Sequence, residues 1–137
     1  MVYQTEDEIL RIVRTFENGT ISRSEWRHAE HLTVAFYYAF YHDFETAYVK
    51  MRDGIFNLLN SFEVDLSKEM PYHETLTVFW MRTIFDFLES QKEKSLVETA
   101  NKVLEMCGDK DLPLKYYSRD FLFSDEARKS FVEGDLG

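Results

Sequence analysis

Residues 71–88, PYHETLTVFWMRTIFDFL, decide the fold class. Leu76, Phe79, Trp80, Ile84, Phe87 and Leu88 recur at helical spacing on one face, while Val78, Met81 and Phe85 fall elsewhere on the wheel. The segment therefore predicts a helix that is apolar nearly all round, and such a helix has to be enclosed by others. Pro71 fits the first helical position, where its missing N–H removes no intrahelical bond.

The segments on the N-terminal side share this period. Thr5 and Glu8 have capping-box spacing, Ile9, Ile12, Val13 and Phe16 follow, and Asn18-Gly19 supplies a stop, so a first helix is expected from about Glu6 to Glu17. Ser22 and Glu25 repeat the box, and Trp26, Leu32, Ala35, Phe36, Ala39 and Phe40 carry a second helix to about His42. After Asp43, the residues Tyr48, Met51, Ile55, Leu58, Leu59 and Phe62 form the stripe of a third, despite Gly54 in its interior. A polar connection, Glu63 to Met70, leads into the quoted helix.

On the C-terminal side, Ser95 and Glu98 give a third box, and Leu96, Val97, Ala100, Val103, Leu104 and Cys107 a fifth amphipathic helix closed by Gly108. From Asp109 to Phe123 the period lapses, and this tail is expected to lie over the other helices. Ser124 then caps a last short helix to about Val132. No stretch alternates with a period of two. The expectation is an all-α, single-domain bundle over residues 1–137, with about five main helices, antiparallel neighbours packed around helix four, an irregular tail and a short last helix.

Composition narrows the partners. The 16 Lys and Arg against 25 Asp and Glu leave a formal charge of −9, which repels phosphate backbones and anionic lipid, so neither nucleic acid nor a membrane surface is expected. No apolar run approaches the roughly 20 residues that span a bilayer, and the acidic Thr5 to Glu8 is unlike a signal peptide; the expected location is cytoplasmic. With 12 Phe and 8 Tyr, the chain can build a thick core or an aromatic-lined pocket. The single cysteine, Cys107, sits on the apolar rhythm of helix five and reads as a buried thiol.

Three of the four histidines fall into two tight groups, His28 and His31 in one and His73 beside Glu74 in the other. Residues three apart share a helix face, so His28 and His31 can aim at one point. With His73 they form a candidate metal set for Zn, Fe, Mn or Ni, and Glu74 is the candidate ligand or general base. Adjacent residues lie about 100° apart round a helix, so His73 and Glu74 need not point the same way. The same residues suit metal-free acid and base chemistry, or hydrogen-bonded structural roles. Glu25 and His28 share the Glu-x-x-His spacing of di-iron bundles, but a second such pair is lacking and no di-iron site is expected. Trp26, Tyr72 and Trp80 are candidate pocket walls, and Tyr117 and Arg119 candidate ligand contacts reaching over from the tail beside Tyr116. His42, at the end of helix two, reads as structural.

The blocks Trp26, His28, His31 and Leu32, then Tyr72-His73-Glu74-Thr75, then Tyr116-Tyr117-Ser118 with Leu122-Phe123-Ser124 and Glu126-Ala127-Arg128, resemble those of a family of small uncharacterised bacterial helical proteins. The resemblance runs from about Glu17 to about Leu136. It implies a bacterial, cytoplasmic protein whose pattern includes His28, His31, His73 and Glu74, and it carries no activity. Two functions are therefore expected side by side: a metal-dependent enzyme or small-ligand-binding protein with its site between helices two and four, and a non-catalytic binding or homodimerisation module using Tyr37, Tyr41 or Tyr48.

Overall fold

A computed structural model describes residues 3–92 and 95–136. Its five longer helices are α1 (Glu6–Glu17), α2 (His28–Tyr41), α3 (Phe44–Ser61), α4 (Glu74–Glu89) and α5 (Leu96–Cys107). A 3₁₀ turn (Leu112–Lys115) and two short helices, α6 (Arg119–Leu122) and α7 (Asp125–Lys129), complete an all-α bundle with no strand among the described residues.

The first helix forms where its caps dictate. The Thr5 hydroxyl accepts from the Glu8 N–H at 3.3 Å, Glu8 Oε1 accepts from the Thr5 N–H at 3.0 Å, and Gly19 supplies the left-handed residue after the helix, with φ of 69°. Its buried face, Ile9, Ile12, Val13 and Phe16, lies against α2 and α3. The Phe16 ring occupies the space beside Gly54, where an added Cβ would come within 2.4 Å of it. That close approach accounts for a glycine in the middle of α3.

Two helix starts differ from expectation, and both shape the site. Ser22 and Glu25 do exchange hydrogen bonds, at 3.2 and 3.3 Å, but these close a turn, and the chain is extended at Arg27 before α2 begins at His28. The detour turns Trp26 inward, stacked between Phe16 and His31 with ring centroids 4.9 and 5.3 Å away. Pro71 likewise stands outside α4, whose N-cap is His73. A histidine with an available Nδ1 lone pair can do what a serine or aspartate usually does at that position.

The central helix is α2, in place of α4. It touches α1, α3, α4 and α5, and the unbroken buried run Leu32 to Phe36 leaves no solvent face at mid-helix. The tail does fold over the bundle. Thr75 of α4 donates to the Ser130 carbonyl and accepts from the Val132 N–H, Tyr117 donates to the Val132 carbonyl, and Ser118 binds Asp135 through N–H and hydroxyl. No helix among the described residues is long and apolar enough to cross a membrane.

Candidate functional site

His28 and His31 occupy the first turn of α2, one turn apart on the same side. Facing them are Tyr72 and His73 from the segment before α4, and Leu76, Thr77 and Trp80 from its first two turns. Leu32, Ile55, Pro71 and Lys110 complete the lining of one pocket of about 240 Å³. Ligand pockets typically exceed about 300 Å³, so this one suits a molecule of few heavy atoms. Five of the predicted residues, His28, His31, Tyr72, His73 and Trp80, thus meet at one place.

Each imidazole is held differently. His28 donates from Nε2 to the Cys107 carbonyl at 2.9 Å and meets the edge of Trp80 at 5.0 Å, which leaves Nδ1 as its spare acceptor. His31 has no hydrogen bond to a described residue, and no buried side-chain nitrogen or oxygen among the described residues lacks a partner. Its ring nitrogens therefore have access to open space, and the residue lines this pocket while Trp26 stacks on its ring. Burial, and then the neighbouring His28, hold its pKa down at about 4, so at neutral pH it is an uncharged donor and acceptor.

His73 is committed at both nitrogens. Nδ1 accepts from the Leu76 N–H at 3.1 Å, and Nε2 donates to the Leu122 carbonyl at 2.7 Å. These bonds fix the tautomer, and burial lowers the pKa. Only the carbon surface of the ring is left for the pocket. Among the described residues no three His, Cys, Asp or Glu side chains are grouped so as to hold a metal ion.

Glu74 leaves this pocket altogether, because the N-cap and the first residue of a helix diverge. Tyr72 donates to its Oε1 and Tyr48 to its Oε2, both at 2.5 Å. Burial and the acceptor carboxylate raise both phenol pKa values, so each hydroxyl stays a donor. Glu74 faces a second cavity of about 360 Å³ with Arg52, Phe56, Met70, Arg128 and Lys129, and Tyr72 is the wall the two cavities share.

The remaining candidates lie elsewhere. Trp26 backs His31 and is absent from the pocket lining. Tyr117 lines a separate cavity with Phe79, Arg82 and Tyr116, and Arg119 is exposed at the start of α6. Of the tyrosines expected on a partner surface, Tyr41 is 54% exposed, whereas Tyr37 and Tyr48 are half-buried. Sequence reasoning missed Lys110, which comes after Gly108 in a turn without motif, and the cations around Glu74, which come from α3 and α7.

Neither family models, nor curated proteins, nor solved structures match this chain.

Proposed function

We propose that the protein binds a small polar molecule in the pocket between α2 and α4, with His28 and His31 as its recognition groups. The observation that carries this reading is the unpartnered, uncharged His31 opening onto a pocket whose walls include Leu32, Ile55, Leu76 and Trp80 beside the polar Tyr72, Thr77 and Lys110. An imidazole without a protein partner in such surroundings invites a ligand group that gives or takes a hydrogen bond. His28 Nδ1 adds an acceptor one helical turn away, and the exposed Lys110 adds an ammonium at the mouth. A small hydroxy acid or carboxylic acid matches that set: its hydroxyl meets the imidazoles, its carboxylate meets Lys110, and its carbon body packs on Trp80. Because His31 stays neutral, the same arrangement could take a proton from a bound hydroxyl.

A divalent metal such as Zn, Fe, Mn or Ni fits less well. The pocket offers two free nitrogen donors, His28 and His31, and a third only by dismantling the α4 cap at His73. Catalytic zinc usually has three protein ligands. Elemental analysis after incubation with each ion tests this, and no stoichiometric retention is expected. Metal bound one per chain, and lost in a His28→Ala/His31→Ala variant, would reinstate the metal centre.

A further inference from the structure

We propose a second binding site, in the cavity around Glu74, for a small organic phosphate. It is independent of the histidine pocket. The chain carries a formal charge of −9, yet this cavity of about 360 Å³ gathers Arg52, Arg128 and Lys129 against a single carboxylate, Glu74. Counting also Asp53, which pairs with Arg52, a local excess of one positive charge remains in an acidic protein and calls for a reason. The obvious one, an ion pair with Glu74, is not what these cations do. Both Glu74 oxygens take tyrosine hydroxyls, and Glu74 forms no salt bridge with a described residue. Arg128 and Lys129 have no carboxylate partner among the described residues either; the Arg128 Nε donates to the Phe123 carbonyl at 3.4 Å, and Arg52 gives its Nε to Asp53 and also interacts with the Tyr48 hydroxyl.

Two aromatic rings lie beside the arginines. The Arg52 guanidinium lies 5.4 Å from the Tyr48 ring centre, and that of Arg128 lies 5.5 Å from the ring centre of Phe123, both within cation–π range. A guanidinium pair and an ammonium are the groups that hold a phosphate through charge-assisted bonds. The volume exceeds what an inorganic anion needs, and Phe56 and Met70 provide an apolar wall for the carbon body of a phosphomonoester.

Phenyl phosphate is the probe, titrated by calorimetry into the full chain at physiological salt, with phenol and inorganic phosphate as partial ligands. Saturable binding at millimolar concentration or below is expected, at least tenfold weaker for either partial ligand. Lys129→Gln, an exposed residue whose loss leaves the fold intact, should weaken it about tenfold, and Arg128→Gln/Lys129→Gln further. Glu74→Gln should tighten it several-fold, since a repelling charge is removed while the amide oxygen still accepts from one tyrosine and the amide N–H donates to the other hydroxyl. Arg82→Gln, which breaks a pair with Glu133 elsewhere on the surface, should change nothing. Absence of saturable binding overturns the proposal, as does binding indifferent to Lys129→Gln or weakened by Glu74→Gln.

Discussion

The Nε2 proton of His73 is donated to the carbonyl of Leu122, 2.7 Å away and 49 residues along the chain. Through the other nitrogen the same ring caps α4. One side chain thus ties the helix start that lines the pocket to the tail that folds over it, and the ring of Phe123 packs edge-on against it at 5.7 Å.

His73→Ala should therefore cost stability. Losing an N-cap costs about 1 kcal/mol, and stranding a buried carbonyl costs a further ~1–3 kcal/mol. Urea denaturation should show a total loss of about 3 kcal/mol. His73→Asn, which can still cap α4 but cannot reach Leu122, should recover about 1 kcal/mol of it. A loss below about 1 kcal/mol for His73→Ala would show that the ring is free for another task.

His31 makes stability depend on pH in a definite direction. An unfolded histidine titrates near 6.5 and the folded His31 near 4, so between these values the unfolded chain binds more protons. Its contribution is complete above pH 6.5 and fades as the pH falls toward 4, by at most about 3 kcal/mol, with ~2 kcal/mol gone by about pH 5. His73, also depressed by burial, adds in the same sense. Urea midpoints measured from about pH 7 to about pH 5 should fall, and His31→Phe should remove most of the slope. An unaltered slope in that variant would contradict the assigned environment of His31.

Acylation of neutral imidazoles by diethyl pyrocarbonate should separate the three pocket histidines. It requires an unbonded ring nitrogen, which His28 and His31 have and His73 lacks. Mass spectrometry should find His31 and His28 modified under native conditions and His73 protected until the chain unfolds. Modification of His73 at the rate of His31 would mean that the cap opens readily.

Much of this fold is legible in the sequence because local chemistry and tertiary packing agree. Thr5 and Glu8 mark the start of α1, and Ser95 and Ser124 accept from the N–H groups three residues on at the starts of α5 and α7. The same signal misleads at Ser22 and Glu25, where the reciprocal bonds form but close only a turn, since they are local and cannot specify the backbone beyond Arg27. Pro71 misleads for a similar reason: a proline suits a helix start, but the Nδ1 of His73 supplies the actual cap two residues later. Helix four reads as the centre because its apolar residues surround it. Yet it is α2, buried without a break from Leu32 to Phe36, that meets the four other long helices, a tertiary arrangement that hydropathy does not record.

The candidate site is legible in part for the same reason. The clustering of His28, His31 and His73 does identify residues that share a pocket. Which nitrogen is free cannot be read from spacing, because the partners of His28 and His73 are main-chain carbonyls 79 and 49 residues away. The separation of Glu74 from His73 is a consequence of their adjacency, whereas the tyrosines that claim Glu74 come one from the segment just before α4 and one from α3.

The most direct test of the histidine pocket is a side-chain NMR titration of histidine-labelled protein with a panel of small hydroxy and carboxylic acids, run beside His31→Phe. Saturable shifts are predicted at the His31 and His28 ring nitrogens for at least one member, with none at His42 and loss of the response in the folded variant. Shifts that never saturate, or a response that survives His31→Phe, would contradict a ligand site built on these two imidazoles.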